Sequence, residues 1–430
     1  MFGCVGQLMK KVLIIYPHWP PSNLVGVHRV RLIANHLKGI DWEPTVLCVD
    51  EKDHEEPLAW ETTQLVNPEV RVVKVRARKP LNFWGKRLVG DIGIRGLRAL
   101  YKKAKCLLQE ERFDCIWISI PSWYPALLGA PLSRRFDIPY GVDYQDPWVH
   151  EIPQERKGLN RATLTIGMAH LLEPIALRRV AFISGISDGY LTGIKKRHPR
   201  LKTIPFVSAQ LGFSQRDHHI ELPEFKPLLS PEKHSFVYAG AHWPMGAPLF
   251  SLFLKALQQL KTKGLISTKL EFVFIGTGSD VSPSIAEQAR TLGLEDMVKE
   301  HRDRISYLEV QQTLREADGA LVIGSVEAHY SASKIFQCLL TAPKVLGFFR
   351  PESEATQILE IAGANQYLQP YRPAQPEEEL LDQLSQVILQ FVNPKAPWHF
   401  RLDELQPHSA EASAQKIAAT MTAVCNSTKR

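Results

Sequence analysis

Short, continuously apolar runs alternate along this chain with stretches in which apolar residues recur every three to four positions, and the alternation restarts halfway along. In the first half the runs at 12–16, 43–49, 71–75, 115–119, 140–143, 181–184 and 203–206 predict strands, while the periodic segments 27–37, 94–109 and 124–135 predict helices. Strands that are apolar on both faces and separated by helices call for a parallel sheet covered on both sides. The second half predicts strands at 235–239, 270–275, 297–299, 320–323 and 345–349, with helices at 249–260, 282–292, 310–317, 335–340 and 353–361. The predicted fold class is α/β, with two tandem doubly wound, Rossmann-like domains facing a cleft. Their expected limits are 1–209 and 235–408, joined by a polar linker at 210–234 that carries Pro223, Pro227 and Pro231. A last helical segment, 409–424 within 409–430, has the spacing to pack back on the first domain.

Composition agrees with two cores, since 430 residues with 44% hydrophobic content can bury more than one. The six cysteines, Cys4, Cys48, Cys106, Cys115, Cys338 and Cys425, show no metal or redox spacing, which fits buried thiols in a reducing compartment. The apolar run after Lys10 and Lys11 is too short to span a bilayer and passes directly into Pro17, so it reads as a strand. Charge adds one feature. From Arg71 to Lys105 twelve lysines and arginines face a single acid, Asp91, and Leu81, Phe83, Trp84, Leu88, Val89 and Ile92 lie among them. Cations beside bulky apolar groups suit an anionic membrane surface, and the expectation is a cytoplasmic protein peripheral to the inner face of a membrane. A solvated loop and helix face is the plainer alternative, and no nucleic-acid module accompanies the patch.

Candidate chemistry falls where strands end and helices begin. Ser333 and Lys334 follow the apolar run ending at Ile323 and open a helix, so free N–H groups and an ammonium would attract an anion; simple capping by Ser333 is the alternative. Gly26 begins the first helix after a strand, and Gly240, with Gly246, permits a close backbone approach in the second domain. Gly276 and Gly278 repeat that logic beside the next strand. Asp143, Asp146 and Trp148 end another strand, where carboxylates and an indole suit a polyol; an Asx turn at Asp146 is the alternative, and the strand-end position favours function. A zinc site from His18, His28 or His150 lacks any matching ligand spacing, and no metal is expected.

Taken in order, residues 11–23 with Gly26, the 143–148 segment, 237–240, 274–278 and Ser333-Lys334 followed by 342–346 resemble the retaining glycosyltransferases of the GT-B fold, in the large family four of that class. The resemblance implies a nucleotide-sugar donor held by the second domain, a glycan or lipid-linked acceptor held by the first, and transfer with retention, as in polysaccharide or glycolipid synthesis. It places Gly26, Gly240, His242, Ser333 and Lys334 at the donor phosphates, and Gly276, Gly278 and Gln337 at the nucleoside. It places Asp143, Trp148, Glu327 and His329 around sugar and acceptor. Asp146 and Lys334 are the expected catalytic residues, and no cofactor is implied. Three positions depart from the family pattern. Gln337 stands where a ribose-binding glutamate is usual, Glu327 and His329 are the nearest matches for a second glutamate, and His242, Trp243, Met245 and Gly246 replace a basic pair, shifting leaving-group stabilisation onto Lys334, His242 or Arg350. A catalytically weakened GT-B binding partner and a sugar-nucleotide epimerase of the same architecture are the alternatives.

Overall fold

The computed structural model describes all residues except 1–8, 84–85, 150–160, 328–333, 395–396 and 429–430, and it divides into one unit of residues 1–214 with 408–430 and a second of 215–407. In the first unit the order is β1 (Lys10–Ile15), α1 (Val25–Leu37), β2 (Trp42–Val49), β3 (Arg71–Val75), a hairpin of β4 (Leu81–Phe83) and β5 (Lys86–Val89), α2 (Ile92–Glu110), β6 (Cys115–Ile120), α3 (Gly129–Phe136), β7 (Tyr140–Tyr144), α4 (Arg161–Ala176), β8 (Phe182–Gly185), α5 (Asp188–Arg197) and β9 (Phe206–Ser208). Seven of these strands form one parallel sheet in the order β3-β2-β1-β6-β7-β8-β9. Period-two alternation sorts its side chains. Leu13, Ile15, Leu47, Val49, Ile116 and Ile118 pack toward one face with Leu100, Leu107 and Leu132, and Val12, Ile14, Val46, Cys48 and Trp117 pack toward the other with Val30 and Ile33.

The second unit follows the same plan: β10 (His234–Ala239), α6 (Ala247–Thr262), β11 (Leu270–Ile275), α7 (Ile285–Thr291), β12 (Val298–His301), α8 (Tyr307–Glu316), β13 (Gly319–Ile323), α9 (Ile335–Thr341), β14 (Val345–Phe349), α10 (Glu354–Ile361), β15 (Leu368–Pro370) and α11 (Glu377–Val392). Its sheet is also parallel, ordered β12-β11-β10-β13-β14-β15. Both α7 and α8 open with capping boxes, Ser284 with Glu287 and Ser306 with Glu309, so backbone donors at each start are satisfied locally. The final helix, α12 (Ala410–Thr428), belongs to the first unit, where Ile417, Ala418, Met421 and Cys425 join the core shared with α1 and Trp42 Nε1 donates to Thr422 Oγ1 at 3.2 Å.

The proline-bearing stretch at 210–234 is divided between the two units, after Ser214, instead of standing apart as a linker. Its later part is tied down by side chains: the Leu222 N–H donates to Gln312 Oε1 at 2.7 Å, and both the Ser230 N–H and hydroxyl donate to Glu271. The charged segment 71–105 also differs from its expected form. Acids outside it neutralise four of its cations, with Arg71 on Glu111, Lys74 on Glu51, Arg76 on Asp53 and Arg95 on Glu55, and Ile92 is in the core. Trp84 lies outside the described residues. Counting charge along the chain missed these partners because they come from neighbouring loops and the end of α2.

One buried ion pair ties helix α1 to four strands of the first unit. Arg29 on α1 and Asp143 on β7 are both inaccessible to solvent, and the guanidinium donates through Nε and Nη2 to the two carboxylate oxygens at 2.8 and 2.7 Å. The same carboxylate accepts from Ser119 of β6 at 2.9 Å and Ser184 of β8 at 2.6 Å, while Arg29 Nη1 donates to the carbonyls of Ala209 and Gln210, just past β9. Asp143, expected beside a sugar, is therefore an internal tie with its acceptors committed. Replacing Asp143 by Asn should cost about 3–5 kcal/mol, because it leaves a buried guanidinium uncompensated. The check is the urea midpoint of the first unit's unfolding, and a loss below about 1 kcal/mol would show that the pair is dispensable.

Candidate functional site

In an open parallel sheet the strands all deliver their following loops to one edge, and the widest access there lies where the strand order reverses. In the second unit that reversal falls between β10 and β13. Gly240 leaves β10 with its N–H on the Ile275 carbonyl at 2.8 Å, and the His242 N–H reaches the Thr277 carbonyl at 2.8 Å, so the loops after β10 and β11 are zipped together. Gly276 and Gly278 have φ of 73° and 74°, a left-handed backbone that side chains resist. Among the described residues, apart from its chain neighbours, no atom lies within 4 Å of where a Cβ would stand on Gly278. The Arg302 Nε holds the Gly278 carbonyl at 2.7 Å, and the Arg304 side chain runs beside Gly276.

Lys334, just ahead of α9, reaches back across the strand reversal. A Cβ on Gly240 would collide with its Nζ, so the missing side chain at 240 is what admits the ammonium. Burial lowers the Lys334 pKa to about 8; Cys338 opposes the shift and nearby Arg304 adds to it. Among the described residues no carboxylate pairs with this cation, and an anion entering here would find a charge that is desolvated but uncommitted. The helix itself adds little to that attraction. With seven residues and no side-chain cap, α9 has a weak dipole, so the anion preference expected of this helix start rests on the ammonium.

The remaining predicted residues of this unit divide. His242 is buried against Phe250, its pKa is lowered by burial, and its Nε2 has no hydrogen-bond partner among the described residues. Gln337 is half-buried one turn into α9, and Glu327 is exposed with its N–H on Ser325 Oγ. Arg350 is already engaged by Glu352 and the Val326 carbonyl. Ser333 and His329 lie outside the described residues. Arg304 was not singled out from the sequence, although its place just beyond a strand end was the available signal.

In the first unit the corresponding edge gathers Tyr16, Gly26, Gln145 and Asp146. A Cβ on Gly26 would strike the Tyr16 hydroxyl and stand 3.1 Å from Gln145 Oε1, so this glycine is needed for side chains of its own unit, a tighter constraint than an open phosphate loop. Gln145 Nε2 donates to Ser119 Oγ at 2.9 Å, which links the edge to the Asp143 network. Asp146 is exposed; after burial, its charge contributes to raising the Tyr16 and Tyr190 phenols above their ordinary range. Trp148 is buried and stacks on Trp123 with centroids 6.1 Å apart and planes 13° from parallel, so that ring face is covered from within. Potential metal ligands gather beside this edge at His18, His54 and Glu56. Two surface hollows, one bordered by Asp114 and Pro139 and one by Asp318 and Lys344, lie at the amino ends of the strands, away from these loops.

No protein-family model matches the chain, and no curated protein sequence matches it. Solved structures are similar to it over nearly its full length. A point mutant of S. aureus TarM, in complex with fondaparinux, alpha-GlcNAc-glycerol and UDP, has 8% identity and a TM-score of 0.56, covering 96% of this chain and 100% of that one. The E. coli trehalose-6-phosphate protein bound with UDP-2-fluoro glucose has 11% identity and a TM-score of 0.55, covering 98% and 99%. UDP-GlcNAc 2-epimerase of Methanocaldococcus jannaschii has 12% identity and a TM-score of 0.51, covering 96% and 100%. These likenesses establish the fold, a pair of Rossmann-like domains in the GT-B architecture.

The Lys334 environment sets a pH dependence. Because folding lowers its pKa from 10.5 to about 8, the buried ammonium costs stability at low pH and that cost disappears as pH rises from 8 through 10.5. Anion binding works in the opposite direction, since a bound phosphate restores the charged form. With uridine diphosphate as the probe, affinity is expected to fall as pH climbs above about 8, by up to about tenfold per unit, with proton uptake in calorimetry. Lys334→Arg should flatten the profile, and an identical decline in that variant would remove Lys334 from the anion site.

Proposed function

We propose that this protein is a retaining glycosyltransferase that moves a sugar from a nucleoside diphosphate to a hydroxyl acceptor in polysaccharide or glycolipid synthesis. The observation that carries the reading is the Lys334 ammonium seated against Gly240 at the strand reversal of the second unit, beside the Gly276 and Gly278 loop. Such a cation, held in place before reaction, stabilises charge that grows on a departing diphosphate without further reorganisation. The nucleotide ligands in the S. aureus and E. coli structures support a nucleotide-sugar donor for a chain of the same fold.

In this reading the second unit holds the donor. Lys334 and the Gly240 loop take the diphosphate with Ser333, His242 supplies its uncommitted nitrogen, and Gln337 takes the ribose through a neutral amide. Gly276 and Gly278 leave room for the base. The first unit holds the acceptor, with Asp146 orienting its hydroxyl and Trp148 stacked on Trp123 beneath that loop, and in the second unit Glu327 and His329 are assigned to the donor sugar. The acceptor enters from the face the diphosphate leaves, so configuration is retained. This reading calls on the Lys334 ammonium, not a metal, to carry the leaving-group charge.

Calorimetry with uridine, guanosine, adenosine and thymidine diphosphates, followed by turnover of the matching sugar donors, tests the assignment. One diphosphate should bind saturably and its donor turn over, and Lys334→Ala should lower turnover by at least about 100-fold without lowering the urea midpoint. Saturable binding without turnover on any donor identifies a binding partner instead. Interconversion of the free nucleotide sugar identifies an epimerase, whose fold the chain shares.

The acceptor is lipid-linked in this proposal, and the membrane-facing element is α4 rather than residues 71–105. Glu173 pins the inner side of α4 through Tyr144, Arg197 and His198. Outward, Met168, Leu171 and Ile175 recur at spacings of three and four and are 48%, 65% and 50% exposed, with Arg178 and Arg179 exposed just beyond the helix. An apolar stripe that ends in cations suits an anionic lipid surface. Among the described residues no helix is long and apolar enough to cross a membrane. The free thiols at Cys48, Cys106, Cys115, Cys338 and Cys425 suit its cytoplasmic face. Leu171→Glu with Ile175→Glu should abolish sedimentation with phosphatidylglycerol vesicles while leaving nucleotide affinity unchanged; undiminished sedimentation would exclude α4.

A further inference from the structure

The loops after β1 and β2 hold a cluster that the proposed transfer does not use. His18 Nδ1 lies 2.7 Å from Glu56 Oε1, His54 Nδ1 lies 3.3 Å from the same oxygen, and one donor atom from each residue falls within 4.8 Å of the others. The Glu56 carboxylate is fixed on both oxygens, by the Ser22 hydroxyl at 2.5 Å on Oε1 and the Glu55 N–H at 3.2 Å on Oε2. His54 is the anomaly. Its side chain is fully buried, yet neither ring nitrogen has a hydrogen-bond partner among the described residues. The carbonyls of Pro17 and Val49 lie close enough to the ring to favour its charged form, but neither makes a well-directed hydrogen bond with a ring nitrogen. A buried imidazole left in this state is destabilising, because its ring nitrogens have given up water without gaining a partner.

We propose that His18, His54 and Glu56 bind a divalent transition metal of the zinc class. Two imidazoles and one carboxylate form an N₂O donor set suited to Zn²⁺, and tetrahedral bonds of about 2.0–2.2 Å would set such donors about 3.3 Å apart. The 3.3 Å separation of His54 and Glu56 already meets that spacing, and the 2.7 Å separation of His18 and Glu56 meets it after a shift of a few tenths of an ångström. Coordination supplies the missing partner of His54, and Ser22 becomes the outer group that orients the carboxylate. His18 and Glu56 are each slightly exposed, which leaves the ion an open side toward solvent for a water ligand. Simple hydrogen bonding accounts for His18, Ser22 and Glu56, but it leaves His54 unsatisfied.

The test uses the full chain after chelator treatment, titrated with Zn²⁺ by calorimetry and with Co²⁺ by visible absorption. One equivalent should bind, with the intense d–d bands of a four- or five-coordinate Co²⁺ site. Glu56→Gln and His54→Ala should each weaken binding by more than about 100-fold, and Ser22→Ala by roughly 10–100-fold, as expected for an outer-shell group. Should a variant not fold, Zn²⁺ protection of His18 and His54 from diethyl pyrocarbonate in the unsubstituted protein, read by peptide mass spectrometry, gives the same answer. No saturable 1:1 binding, unchanged affinity in folded variants, or no protection overturns the proposal. Nucleotide binding in the second unit is read separately, so failure of either assignment leaves the other standing.

Discussion

Parallel strands buried on both faces leave polar chemistry few places to sit, and this constraint governs both units. The sheet interiors are lined by residues such as Leu13, Ile118, Phe272 and Leu346, and helices cover each side, so a polar group within a layer must carry its own partners. Only the edges are open. Because every strand of a sheet points the same way, the loops after β1, β7, β10, β11 and β13 collect at the carboxyl edges of their sheets. Gly26, Asp146, Gly240, Gly278 and Lys334 occupy those loops or the helix starts beyond them.

Two buried charges illustrate opposite uses of that environment. Asp143 is satisfied completely, by a bidentate arginine and two serine hydroxyls, and its energy goes into fixing the mutual register of β6, β7, β8 and the segment after β9. Lys334 is desolvated with no carboxylate beside it among the described residues, so its charged form is disfavoured, and an anion placed there would restore it. A satisfied charge builds a scaffold. An unsatisfied one stores an affinity, and the contrast separates the two residues more clearly than their similar positions near strand ends would.

The fold class was legible because both periodicities were strong. Runs such as 270–275 and 345–349 coincide with β11 and β14, and the predicted 249–260 helix lies inside α6. The elements left unread have identifiable causes. Nearly every turn of α4 is apolar, so no one-sided stripe announced it, and β15, β4 and β5 are only three or four residues long; α5 and α11 were also left unread. At the site, glycines at strand ends were visible as such, but their reasons were not: Gly240 makes room for Lys334, and Gly26 makes room for Tyr16 and Gln145. The 71–105 charge run was visible too, whereas its partners Glu51, Asp53, Glu55 and Glu111 come from outside the window.

By itself the sequence determined two α/β halves and the loops where chemistry would gather, because hydrophobic period and glycine placement are local properties that survive without coordinates. Tertiary structure alone decided which charges meet. Asp143 became a scaffold through Arg29, 114 residues away, and Lys334 found Gly240 across the strand reversal. His54 and Glu56 came to His18 although no spacing rule links them. Electrostatic pairing depends on distance through space, and the winding of a parallel sheet brings together positions that a linear pattern keeps far apart.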